Sequence, residues 1–67
     1  MTPTTLRTAR RRHDLNQATL AAILDTHVDT VSRWERGTQS IPWAVVLLFA
    51  AWDRYPELLK ELRDGIR

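Results

Sequence analysis

The chain has 67 residues, 43% of them hydrophobic, no cysteine, and a formal net charge of +2 at pH 7. A chain of this length forms one domain, and without cysteine neither disulfides nor thiolate metal sites add to its stability. No apolar run approaches the roughly 18 residues of a membrane span, and the N-terminus lacks the apolar region of a signal peptide. We therefore expect one soluble, cytoplasmic domain over residues 1–67.

The positive charge is concentrated before Ile41. Six arginines there face four acidic residues, which gives +2, whereas four basic and four acidic residues cancel in the remainder. The planar guanidinium of arginine suits phosphates and guanine edges better than the lysine ammonium does. The N-terminal part is therefore the expected side for a polyanionic partner such as DNA.

The first two predicted helices are short and are separated by a polar break. Pro3 fits the first turn of a helix that runs to about His13. Asn16 is a good N-cap for a second helix, over residues 17–24, because its side chain can accept a hydrogen bond from the free backbone N–H groups of the first turn.

A tight turn, residues 25–27, joins the second helix to a third. Thr26 and Asp29 also have the spacing of a capping box, which offers an alternative start one residue earlier. Gly37 supplies a left-handed C-cap at its end. The pattern predicts a helix-turn-helix over about residues 16–36.

Two further helices are predicted after a polar loop. Pro42 fits the first position of a fourth helix, which ends near Arg54, and Pro56 begins a fifth. The fifth helix places apolar residues on one stripe: Leu58, Leu59, Leu62 and Ile66. The predicted architecture is all-α, a compact five-helix bundle in which residues 42–66 supply core and dimer contacts.

Two sequence segments frame the predicted helix-turn-helix: LNQATLA at residues 15–21 and VSRWERG at residues 31–37. Together they resemble the L-[SN]-Q-x-x-L-A … V-S-x-W-E-x-G pattern of Cro/CI-type (XRE family) regulators. The resemblance implies a lambda-repressor-like fold, DNA binding and no enzymatic activity. The turn departs from the pattern, since Asp-Thr-His stands where the family usually has Gly-Val-Ser.

The third helix has an outward face of about 140° when its residues are spaced at 100°. Its members are the predicted base contacts: Val28, Asp29, Ser32, Arg33 and Arg36. Arg33 is the first choice for specificity, because one guanidinium can bond guanine O6 and N7 together. Asp29 either accepts from cytosine N4 or acts only at the helix start.

Phosphate contacts are expected around the motif. Gln17 begins the second helix, where its amide and free backbone N–H groups can meet a phosphate oxygen, and the family resemblance implies this role. The loop after the third helix usually lies along the DNA backbone in similar proteins. The full predicted set is Arg11, Asn16, Gln17, Thr30, Thr38, Gln39 and Ser40.

Several residues near the motif are assigned to structure instead. Arg10 and Glu35 face inward, and similar proteins pair the corresponding residues as a buried ion pair. Trp34 occupies what is ordinarily a core position in that family. Arg11 is either a phosphate contact or a solvated residue, and Arg12 is expected in solvent.

The fourth helix is apolar on all sides, which a small monomer cannot hide. We expect Leu47, Leu48 and Ala51 to pack beneath the helix-turn-helix and a second face to form a homodimer. The predicted dimer contacts are Val45, Phe49, Trp52, Leu59 and Leu62. Trp43 is expected near the DNA backbone or at the rim of the dimer.

The predicted function is a sequence-specific repressor that binds double-stranded DNA at a palindromic operator as a homodimer and autoregulates its operon. Small phage-borne regulators, including those of anti-CRISPR operons, are similar. The alternatives are an antitoxin whose C-terminal helices bind a toxin, and a protein-interaction module that does not bind DNA.

No metal, cofactor, membrane or small-molecule ligand is expected. Two histidines, His13 and His27, are too few for a site that needs three or four ligands. Ser32, His27 and Asp29 lie too close together on one short helix to form a catalytic site with a pocket.

Overall fold

The computed structural model describes residues 1–65, which form helices joined by short connections. In chain order these are α1 (Pro3–Arg12), α2 (Gln17–Ile23), α3 (Val28–Arg36), α4 (Trp43–Arg54) and α5 (Pro56–Asp64). No strand occurs in this part of the chain. The all-α, five-helix prediction is confirmed, whereas Ile66 of the predicted apolar stripe lies outside the described residues.

Side-chain hydrogen bonds cap the N-termini of the first two helices. The Thr5 backbone N–H donates to Thr2 Oγ1 at 3.1 Å, and the Thr2 backbone N–H donates to Thr5 Oγ1 at 2.7 Å. Asn16 caps α2 as predicted, because its Oδ1 accepts from the Thr19 backbone N–H at 2.7 Å. These bonds satisfy donors that have no partner within their own helix.

The third helix begins at Val28, directly after the predicted turn of residues 25–27, and the alternative start one residue earlier is wrong. The cap is His27, whose Nδ1 accepts from the Asp29 backbone N–H at 3.2 Å. The Thr26 backbone N–H belongs to the end of α2, where it donates to the Ala21 carbonyl at 2.9 Å, so it is not free for the reciprocal hydrogen bond of a capping box with Asp29.

Left-handed backbone positions end α2 and α3. Asp25 has a φ of 53° in the interhelical turn, and Gly37 has a φ of 78° at the C-cap of α3. Aspartate tolerates this conformation better than most residues, and glycine adopts it without steric cost. The predicted glycine C-cap is confirmed.

The core joins all five helices. Packing contacts connect α2 with α3, α1 with α3, α4 with α5, and α2 with α5. Phe49 and Trp52 meet edge to face at its centre, with ring centroids 5.0 Å apart. The buried apolar residues are Leu6, Ala9, Leu15, Leu20, Ala21, Val31, Trp34, Val45, Phe49, Trp52 and Leu59.

The side of α4 that enters the core is centred on Val45, Phe49 and Trp52 instead of Leu47, although Leu48 is half-buried and packs against the core as predicted. Phe49 and Trp52 are each 1% exposed and Val45 is 4% exposed, whereas Leu47 is 52% exposed. Burying two aromatic rings removes more apolar surface from water than burying Leu47 and its neighbours, which favours this orientation.

The predicted dimer contacts are therefore wrong for four residues: Val45, Phe49, Trp52 and Leu59 lie inside the chain's own core and present no surface to a second molecule. Leu62 is 44% exposed and stays accessible.

A polar cluster ties the end of α1 to α4 and α5. Arg12 Nη2 donates to both carboxylate oxygens of Asp53 at 2.9 Å, and His13 Nε2 lies 2.8 Å from Asp53 Oδ1. Arg63 donates to the His13 carbonyl. Arg12, expected in solvent, is thus half-exposed and paired.

In the described part of the chain, the helices are too short or too polar to cross a membrane.

Candidate nucleic-acid interface

Helix α3 divides sharply into an inner and an outer side. Val31, Trp34 and Glu35 are 0%, 4% and 3% exposed and face the core. The opposite side carries four exposed residues and one half-buried residue: Val28, Asp29, Arg33, Arg36 and Ser32. The structure thus brings all five predicted base contacts together on one surface.

Two arginines give the outer side of α3 its charge. Within residues 1–65, the side chains of Arg33 and Arg36 form no ion pair with a carboxylate. Nearby Asp29 is two-thirds exposed, and its carboxylate lies 3.5 Å from the ring of His27. The guanidinium groups are therefore available to an acceptor on another molecule.

Glu35 is the common acceptor of the inner side. Arg10 Nε donates to its Oε2 at 2.7 Å and Arg10 Nη2 donates to its Oε1 at 3.0 Å. Gln17 Nε2 donates to Oε1 at 3.2 Å, and Arg7 Nε lies 3.5 Å from the same oxygen. One carboxylate on α3 is thereby bonded to side chains of α1 and α2.

The surroundings of Glu35 hold its carboxyl in the charged form. Burial opposes ionisation, but hydrogen bonds from Arg10 and Gln17 and the positive charges of Arg10 and Arg7 outweigh it and lower the pKa of Glu35. The hydrogen bond to Glu35 raises the pKa of Arg10, against the opposing effect of its burial. The pair is therefore fully charged at neutral pH.

Arg10 also supports the start of α2. Its Nη1 donates to the Leu15 carbonyl at 2.8 Å, immediately before the Asn16 cap. The guanidinium therefore satisfies a backbone acceptor in addition to binding Glu35, as a buried cation requires.

Sequence reasoning missed Arg7 at this site. Its Nη2 donates to the Glu35 backbone carbonyl at 3.1 Å, near the C-terminal end of α3. The available signal was its position one helical turn before Arg10, which places both side chains on the same side of α1.

The predicted phosphate contacts differ in how exposed their side chains are. Gln17 is half-buried and held by Glu35, Thr30 is half-buried, and the other five are exposed: Arg11, Asn16, Thr38, Gln39 and Ser40. Gln39 and Ser40 also line an open cavity of about 310 Å³, together with Met1 and Pro3. The loop after α3 therefore lies beside the start of α1.

A metal centre has no basis in the residues that the structure describes. Positions 1–65 hold no group of three histidine, aspartate or glutamate side chains arranged to bind an ion.

Two short helices at a tight turn, with an outer face that carries unpaired arginines, define a small helical protein of the helix-turn-helix type. The sequence model of a family described as the antitoxin component of a bacterial toxin-antitoxin system, MqsA, matches residues 1–63. The chain therefore belongs to the MqsA antitoxin family. Neither the search of curated proteins nor the search of solved structures gave a match.

Proposed function

We propose that this antitoxin-family protein is a sequence-specific DNA-binding repressor that autoregulates its operon by binding an inverted-repeat operator as a homodimer. The outer side of α3 carries the proposal. Its residues combine two free guanidinium groups with short polar and apolar side chains, the combination that distinguishes base pairs in the major groove. Membership of an antitoxin family supports a regulatory role.

Arg33 is the proposed reader of a guanine and Arg36 is a further proposed base contact, whereas Arg11 is a proposed phosphate contact. Phosphate contacts fix the orientation of a protein on the duplex, and base contacts set its sequence preference. We assign Val28, Asp29 and Ser32 to neighbouring bases and Gln17, Asn16, Thr30 and residues 38–40 to the backbone.

The position of Gln17 supports a backbone contact. The bond to Glu35 uses one N–H of its amide and fixes the direction of the side chain at the start of α2. The second amide N–H is left to donate to a phosphate oxygen. Because this group is already oriented, binding costs little side-chain entropy.

The resemblance to Cro/CI-type regulators, which is narrower than membership of the antitoxin family, stays a prediction. Cro/CI-type regulators, and phage-borne repressors of anti-CRISPR operons in particular, have this motif pattern, and the proposal includes their mode of action without a ligand or an enzymatic step. A location in the cytoplasm, on DNA, belongs to the same proposal.

Selection of bound sequences from a random duplex pool tests the proposal. We expect an inverted repeat whose half-sites are about one helical turn, roughly 34 Å, apart. Lys60→Ala, which removes an exposed cation on α5 far from α3 in sequence, is the control and should select the same repeat. A pool without any enriched sequence at about 0.15 M salt, where specific sites stay tightly bound, contradicts the proposal and favours a DNA-free interaction module.

The family match favours a second function, the binding and neutralisation of a toxin. The test is co-expression with the protein encoded by the neighbouring gene: growth arrest by that protein, relieved by this chain, supports toxin binding. Arg33→Ala and Arg36→Ala together should leave relief of growth arrest unchanged while abolishing operator binding. Failure to relieve arrest contradicts this second function.

A further inference from the structure

The side of α4 that points away from the core is apolar up to Arg54 at its end. Trp43 is 70% exposed at its beginning, Leu47 is 52% exposed one turn later, and Arg54 is exposed at its end. Between them lie only alanines: exposed Ala44 and Ala50, and half-buried Ala51. We call these six residues the outer face of α4.

The contacts of the fold leave Trp43 and Leu47 in water, while the Arg54 guanidinium lies 5.6 Å from the centroid of the neighbouring Tyr55 ring. The core uses the opposite side of α4, and the polar tie to α1 uses Asp53, which lies outside the outer face. A tryptophan and a leucine held in water on one helical stripe indicate association with another molecule. The stripe runs over the twelve residues of α4, from Trp43 to Arg54, and is about 16 Å long.

The outer face is complementary to itself when two copies lie antiparallel. Pairing about the middle of α4 sets Trp43 opposite Arg54 of the partner subunit, and Leu47 opposite Ala50 of the partner subunit. A guanidinium over an indole ring is a favourable cation–π contact, and a large side chain packs well against a small one. A parallel pairing instead sets arginine against arginine.

We propose that a second copy of this chain packs on the outer face of α4, antiparallel, with these residue pairs in contact. A twofold axis relates the two copies, so each residue pair occurs twice and both outer faces are covered. The assembly therefore ends at a dimer. This surface is the one through which the proposed repressor dimerises. The inference rests on the proposed function in one respect, that two copies of the chain occupy two half-sites of the operator. A face of this size places the dimer in the small, weakly bound class of interfaces.

The first experiment measures mass without DNA, by sedimentation equilibrium up to about 1 mM, where an interface with micromolar dissociation is saturated. We expect the wild-type chain of 7.8 kDa to reach twice that mass. Leu47→Glu should remain monomeric, whereas Leu62→Glu, a matched change at an equally exposed leucine of α5, should still dimerise. Circular dichroism checks that both variants fold.

A wild-type chain that stays monomeric at the highest concentration overturns the proposal, and so does a dimer that Leu62→Glu dissociates and Leu47→Glu does not. A wild-type monomer whose toxin binding is lost in Leu47→Glu also overturns it, because the face then belongs to a different partner.

The second experiment tests the antiparallel register. Trp43→Arg replaces the indole–guanidinium contact by two arginines that repel each other and should weaken the dimer about tenfold or more, as the loss of an interface tryptophan does. The double variant Trp43→Arg with Arg54→Trp restores the indole–guanidinium pair in exchanged positions and should recover most of the lost affinity. Absence of recovery contradicts the register and with it the proposal.

Failure of the dimer and failure of DNA binding give different results. If the chain does not bind DNA, the mass measurements are unaffected. If the chain does not dimerise, the duplex pool still enriches single half-sites, and Leu47→Glu selects the same half-site as wild type.

Discussion

The Arg10 guanidinium binds the Glu35 carboxylate through two parallel hydrogen bonds, Nε to Oε2 at 2.7 Å and Nη2 to Oε1 at 3.0 Å. The residues are 8% and 3% exposed, and the pair connects α1 to α3. The orientation of the proposed recognition helix therefore depends on a charge pair that is largely buried.

Arg10→Ala should destabilise the protein by about 3–5 kcal/mol, because it leaves the Glu35 charge buried without its main partner. Urea unfolding followed by circular dichroism measures the loss. Replacing both residues together, Arg10→Met with Glu35→Leu, should recover much of the stability, since buried ion pairs are often replaceable by apolar residues. An unchanged unfolding midpoint in Arg10→Ala contradicts a structural role.

Stability should fall in acid because of Glu35. Its pKa is lower in the folded chain than its ordinary value of 4.5, so its contribution is complete above that value and is lost as the pH falls through the lower, folded-state pKa. The melting temperature measured against pH should therefore drop below about pH 4.5. Glu35→Gln should flatten this dependence, and a variant with the wild-type slope would assign the acid sensitivity to other carboxylates.

Arg33→Ala and Arg11→Ala should affect DNA binding differently. Loss of a guanine contact costs about 1–3 kcal/mol and relaxes the sequence preference at one position in each half-site, whereas loss of a phosphate contact weakens all sequences alike and reduces the salt slope by about 1. Binding of matched and mutated operators across a salt series distinguishes these outcomes. Uniform weakening by Arg33→Ala contradicts its assignment as a base reader.

Gly37→Ala should destabilise the fold by about 1–2 kcal/mol, the cost of a left-handed backbone for a residue with a Cβ. Space is not the cause, because the new Cβ would meet Pro3 Cγ at an ordinary 3.4 Å. Gly65 has a φ of −81°, so Gly65→Ala is the matched control and should be neutral or stabilising by about 0.4–1 kcal/mol. Equal effects in thermal unfolding contradict a conformational role for Gly37.

The helices could be predicted because their ends are set by nearby residues. Asn16 caps its helix through a residue three positions later, and Gly37 ends α3 through its own backbone freedom. The sequence left two starts open for α3 because Thr26 has two possible roles, and only the folded backbone shows that its N–H is already bonded to Ala21.

The orientation of α4 could not be predicted from its own sequence. Asp53 and Arg54 are its only charged residues, so the pattern has almost no polar side to mark the solvent. Side-chain packing determines which side of α4 is buried, because the rings of Phe49 and Trp52 pack against each other and against His13.

The long-range partners of charged residues could not be predicted from the sequence either. Arg12 and Asp53 are 41 residues apart, and nothing local distinguishes that aspartate from the other acidic residues as a partner. Arg10 and Glu35 were paired in advance only through the resemblance to a family, since helical spacing showed that both face inward but not that they meet.

The separation of the two sides of α3 has a consequence for how this protein can diversify. The buried residues that hold the helix in place are Val31, Trp34 and Glu35, and none of them lies on the side that carries Val28, Ser32 and Arg33. Exchange of the outer side chains therefore leaves the core and its ion pair intact. A lineage of such chains can acquire new operators by a few substitutions at tolerant positions, while the scaffold that presents them stays the same.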